Sequence, residues 1–228
     1  MSVVEIVMRS VAVAIGLTVL AVVVLFVLNA CSKSRRPSSN VSASSLEDKL
    51  DALKGCGLQL ASPFTIDDLL KSWRREDYEK DGFDRVLVGL GMTEEQGPWR
   101  NHSVNVWHFD TEAIEDNGDY KKIAERMVEM SQGSLSLENI QDHVDIEKGE
   151  AWLSFNFKGR STRIDCAVKD DWVDPAIFAR FVELLKESDP SKIYIYYDLG
   201  GQDCIIGCVT KNEFECLKSQ GLKFVPLT

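Results

Sequence analysis

Between Ser10 and Ser32 the chain carries no charged residue, and from Val11 to Ala30 only Gly16, Thr18 and Asn29 interrupt a run of Val, Leu, Ile, Ala and Phe. Twenty helical residues at about 1.5 Å rise span roughly 30 Å, the thickness of a bilayer's hydrocarbon core. A core helix beside solvent would carry a polar stripe at a 3.6-residue period. This segment is apolar all round, which predicts a transmembrane helix over residues 11–30 behind a short flank, residues 1–10. The next stretch is dominated by Ser, with only Val41 and Ala43 as apolar groups after Cys31, so residues 31–45 are expected to form a flexible tether. Residues 46–228 then form one globular domain.

Within that domain the apolar positions switch between two periods. Leu153, Phe155 and Phe157 repeat at period two, as do Ile164, Cys166 and Val168, and Lys158-Gly159-Arg160 lies between them, so 151–157 and 162–168 read as a hairpin. A second hairpin is expected from 193–198 and 203–209 around Leu199-Gly200-Gly201-Gln202. Its latter strand is apolar on both faces and belongs in the middle of a sheet. A further strand runs over 104–110, with Trp107 and Phe109 on one face and Val106 and His108 on the other. Helical spacing appears after Asp174-Pro175 (Ile177, Phe178, Phe181, Leu184, Leu185), after Gly118-Asp119 (Tyr120, Ile123, Ala124, Met127) and after Thr65 (Ile66, Leu69, Leu70, Trp73). A last short helix starts at Thr210 with Glu213 as capping partner. Hairpins followed by single helices predict an α+β fold, a mixed or antiparallel sheet with helices packed mainly on one face.

Charge adds a constraint on partners. The chain holds 26 Lys and Arg against 36 Asp and Glu, and the first 36 residues contain Arg9, Lys33, Arg35 and Arg36 but only Glu5, which leaves the remainder at −13. Such a body repels phosphate backbones, so nucleic acid is excluded as a partner, whereas a basic protein is favoured. Arg9 and the amino terminus flank the apolar run on one side and Lys33, Arg35 and Arg36 on the other, a slight bias toward a cytoplasmic C-terminal domain in a single-pass membrane protein. The odd number of cysteines in the domain (Cys56, Cys166, Cys204, Cys208, Cys216) agrees with that side, since five thiols cannot all pair in an exported chain. A domain of this size can fold without disulfide or metal.

Leu28-Asn29-Ala30-Cys31 resembles the lipobox of bacterial lipoproteins, although Asn29 stands where a small or aliphatic residue is usual. The resemblance covers four residues and implies the alternative attachment, cleavage and acylation at Cys31 with the domain exported.

Candidate chemistry is sparse. His108 and Asp110 share a face of one strand, followed by Glu112, Glu115, Asp116 and Asp119, which would suit a membrane-bound hydrolase or metal-dependent enzyme. The acids are equally explained as a solvated turn and helix N-terminus. Cys204 and Cys208 lie on a strand, roughly 13 Å apart, too far to pair or to share a zinc ion, and Cys216 on the next helix could approach one of them. No EF-hand, Walker, GxSxG, HExxH or kinase signature occurs, and no cofactor is expected. Trp152 shares its strand face with Ser154 and Asn156, which marks a binding surface or a position covered by a helix. The expectation is a membrane-anchored, non-catalytic interaction module that meets a basic protein, for example as an immunity protein does a basic toxin.

Overall fold

The computed structural model describes residues 44–80, 82–94 and 100–228. The transmembrane helix expected at 11–30, the flank before it, Cys31 and the tether up to residue 43 lie outside the described residues. Among the described residues no helix is long and apolar enough to cross a membrane.

The fold is α+β. The described residues open with four helices, α1 (Leu46–Gly55), α2 (Ile66–Leu69), α3 (Arg75–Glu79) and α4 (Asp84–Gly91). A small ribbon, β1 (Thr93–Glu94) and β2 (Arg100–Asn101), leads to β3 (Val106–Asp110) and α5 (Asp119–Met130). Then come β4 (Glu138–Asp145), β5 (Glu150–Phe157), β6 (Arg160–Cys166) and α6 (Ala176–Ser188). The chain closes with β7 (Lys192–Asp198), β8 (Asp203–Thr210), α7 (Lys211–Ser219) and β9 (Val225–Pro226). One sheet has the order β3-β8-β7-β9 and another β4-β5-β6, and every strand pairing among the described residues is antiparallel.

The expected hairpins form. Lys158 and Gly159 alone turn β5 into β6, both at positive φ (50° and 75°), the two-residue geometry that matches the twist of the flanking strands. Strand β8 is central, and Cys204 to Val209 are all buried. Its alternating sides feed two cores. Cys204, Ile206 and Cys208 join Phe109 and Tyr194 in one, while Ile205 and Val209 join Val106 and Ile195 in the other.

This double-sided strand explains where the fold departs from helices on one face. Helices α1 to α4 and α7 cover one side of the four-stranded sheet with Leu53, Leu69, Leu87, Leu90 and Leu217. Helices α5 and α6 cover the other and carry the three-stranded sheet beyond them: Phe178 meets Phe109 of β3 edge-on at 5.5 Å, whereas Phe181 stacks on Phe155 of β5 at 6.5 Å. Tyr194 of β7 donates to the Met127 carbonyl of α5 at 2.7 Å. Each fully buried Leu or Phe here contributes about 1.5–3 kcal/mol by removal from water.

Helix ends follow local chemistry. Thr210 and Glu213 make a reciprocal capping box on α7, with Glu213 Oε2 accepting from the Thr210 amide at 2.7 Å. Asp174 Oδ1 accepts the Ala176 amide at 3.0 Å at the start of α6. On β4, Asp142 points inward yet meets the N-terminus of α5, where it accepts from the amides of Gly118 (2.8 Å) and Lys121 (3.1 Å).

The cysteines pair otherwise than their spacing suggests. Cys216 approaches neither Cys204 nor Cys208 but is bonded to Cys56 at the end of α1, 160 residues away, with the Cα atoms 5.3 Å apart. Among the described residues the remaining thiols, Cys166, Cys204 and Cys208, are free and buried. The odd count therefore resolves into one disulfide and three core residues.

Candidate functional site

Strand β3 ends at Asp110 directly opposite Asp203, the first residue of β8. His108 lies on the same face as Asp110, but the carboxylate within ion-pair distance of its Nε2 is Asp203, at 3.3 Å. The pleat explains this: Asp203 is the diagonal neighbour of His108 across the pair, within reach of an imidazole. Asp110 is engaged elsewhere, Oδ1 accepting from the Glu112 amide at 2.9 Å and Oδ2 from Gln202 Nε2 at 3.2 Å. His108 itself packs beside α4, where a Cβ on Gly91 would fall 2.3 Å from the His108 amide nitrogen, so only glycine permits that approach.

Three connections are stitched together at this end of the sheet. Thr111 donates from its amide and its hydroxyl to the Gln202 carbonyl, at 3.1 and 2.9 Å. The segment after β3 then runs antiparallel to the one before α6: the Ile114 amide donates to the Asp171 carbonyl and the Val173 amide to the Thr111 carbonyl, both at 2.9 Å, with Glu112 bridged to Trp172 between them. Trp172 is 43% exposed, a large apolar ring left in solvent. Around these segments stand Asp110, Glu112, Glu115, Asp116, Asp170, Asp171 and Asp198, and among the described residues none has a Lys or Arg within ion-pair distance. The result is an acidic end with an indole on it.

Burial, and then the charges of Asp203, Asp198 and Asp110, push the Cys204 thiol up to about 12, so it stays protonated at neutral pH. Burial likewise raises Cys208 to about 12 and Cys166 to about 11. Among the described residues no group of three or more His, Cys, Asp or Glu side chains is placed to hold a metal ion.

His102 is buried, its Nδ1 2.9 Å from the Gly89 carbonyl and its ring 4.6 Å from Phe64. His143 faces Trp152 at 5.9 Å on the outer surface of the three-stranded sheet. Among the described residues no helix covers Trp152; Arg163 lies over its ring at 4.7 Å instead. A cleft of about 620 Å³ on the side of Trp107 is lined by Thr93, Asn101, Lys122, Glu125, Arg126 and Glu129. Arg126 is buried and clamps the fold, donating to the carbonyls of Ser103 (2.8 Å) and Val106 (2.6 Å) and to Glu129 (2.6 Å).

The sequence pattern brought out His108, Asp110 and the acids after them but not Trp172, whose exposure depends on three connections meeting. The one available signal was its setting, Lys169-Asp170-Asp171-Trp172, an aromatic inside a polar turn. Comparison with known proteins yields no match to any family, to any curated protein or to any solved structure.

Proposed function

We propose that residues 44–228 form a non-catalytic interaction domain that receives a basic protein partner on the acidic end around Trp172. The observation that carries this reading is the 43% exposed indole among carboxylates that lack basic partners. An aromatic anchor supplies burial energy on association, and surrounding like charges steer an oppositely charged partner. The apolar run 11–30 would hold the domain at a membrane as a single-pass anchor, with acylation at Cys31 the alternative attachment. An immunity protein that neutralises a basic toxin is one concrete form of such a module. The Cys56–Cys216 disulfide supports the exported side for the domain, against the slight opposite bias of Lys33, Arg35 and Arg36, because disulfides persist in oxidising compartments. A hydrolase built on His108 and Asp110 has less support, since the two do not engage each other and the nearby thiol is not ionised.

The test is copurification of the full-length chain, wild type against Trp172→Ala and against Asp170→Lys with Asp171→Lys. A basic protein should accompany the wild type at low salt and be released in about 1 M salt, where the screening length falls to about 3 Å. It should be lost from both variants. Recovery that neither substitution changes would overturn the reading.

A further inference from the structure

Strand β6 is the outermost strand of its sheet; it pairs with β5 on one side and, among the described residues, with no strand on the other. Its register with β5 runs unbroken from Ala151 opposite Cys166 to Phe157 opposite Arg160, without bulge or proline. The opposite edge, β4, is blunted by a register shift between Glu138 and Gln141, where Asn139 takes a φ of 53°. A long regular edge without such a device is a template for another strand.

The hairpin geometry states which groups that edge offers. A two-residue turn is closed by a hydrogen-bonded pair, here Phe157 with Arg160, and such pairs recur at every second residue. Thr162, Ile164 and Cys166 therefore direct their amides and carbonyls at β5. Ser161, Arg163 and Asp165 direct theirs outward. The next outward amide, Ala167, is taken by Asp174 Oδ2 at 2.8 Å, which closes the edge beyond Asp165.

The charges on the open stretch are self-complementary. Arg163 and Asp165 have side chains 57% and 79% exposed on one face, 2.8 Å apart at Nε and Oδ1. If a second β6 lies antiparallel about Ile164, Arg163 of each copy stands opposite Asp165 of the other in a hydrogen-bonded pair. The two Ile164 residues, each half-buried for want of a neighbour, then face one another. A register centred on Arg163 would set two guanidiniums opposite, which is disfavoured. We propose that β6 is a homodimer interface, the partner being a second copy of this chain added edge to edge about a twofold axis at Ile164. The product is one six-stranded antiparallel sheet. A twofold axis uses each contact twice, so one substitution acts on two cross-strand pairs.

The experiment is sedimentation of the full-length chain in detergent for four proteins: wild type, Arg163→Asp, Asp165→Arg, and the double exchange carrying both. Circular dichroism confirms that each is folded, as expected for exposed positions. The wild type should dimerise, each single reversal should weaken dimerisation roughly tenfold or more by placing like charges opposite, and the double exchange should restore it. A monomeric wild type overturns the proposal, as do single reversals that dimerise like the wild type, or a double exchange no tighter than the singles.

Discussion

Cys56, at the end of α1, is bonded to Cys216 on α7 across 160 residues of sequence, so the disulfide fastens the first described helix to the last. Closing so long a loop restricts the unfolded chain strongly, and the bond is expected to stabilise the domain by about 2–5 kcal/mol. Denaturant titration checks this. Reductant should lower the wild-type midpoint and leave that of a Cys56→Ala, Cys216→Ala double variant unmoved.

Asp119 gathers the turn before α5. Its Oδ2 accepts from the amides of Glu115 and Asp116, each at 2.9 Å, and Lys122 Nζ lies 2.9 Å from Oδ1. Burial alone would raise this carboxyl, but those donors outweigh burial and hold it below the ordinary aspartate value. A folded value below the unfolded one means stability that is present above about pH 4 and is lost as pH falls through the folded value. Asp119→Asn should therefore cost about 1 kcal/mol at pH 7, with the gap to wild type closing in acid. Stability curves at pH 7 and pH 3 read the difference.

Arg126 fixes α5 to β3 by bonds to the Ser103 and Val106 carbonyls. Arg126→Met keeps much of the apolar stem but strands two buried acceptors, each costing about 1–3 kcal/mol. The unfolding free energy should fall by about 2–4 kcal/mol on that basis, whereas Glu129→Gln, half exposed at the rim, should change it by less than about 1 kcal/mol.

Legibility in the sequence followed the strength of local pattern. Leu153-x-Phe155-x-Phe157 and the Lys158-Gly159-Arg160 connection announce the β5–β6 hairpin, although Arg160 already belongs to β6, and the Thr210/Glu213 pair announces α7, because period and cap are set within a few residues. Strand β4 is not legible because Glu138 to Asp145 offers the core only Ile140 and Val144 as apolar groups, with the carboxylate of Asp142 at the inward position between them. Helix α1 escaped although Ser45 and Asp48 form a capping box, since it adjoins a Ser-rich run that reads as linker. Helix α4 holds Gly89 and Gly91, poor helix formers kept there because Tyr78 and the β3 backbone press close. The acidic end was visible as composition alone; Trp172 and the Cys56–Cys216 bond arise from contacts between distant segments, which spacing does not encode.

Docking of a basic protein on the acidic end around Trp172 is the proposal on which the functional reading rests. Its most direct test places a photo-crosslinking amino acid at position 172 of the full-length chain in its own cells, with a second chain carrying it at Ser154 on the outer face of the three-stranded sheet as reference. One dominant adduct is expected from position 172, to a protein of net positive charge, absent from position 154 and abolished when Asp170 and Asp171 are changed to Lys. Irradiation that yields no adduct at 172, or the same adducts at both positions, would contradict it.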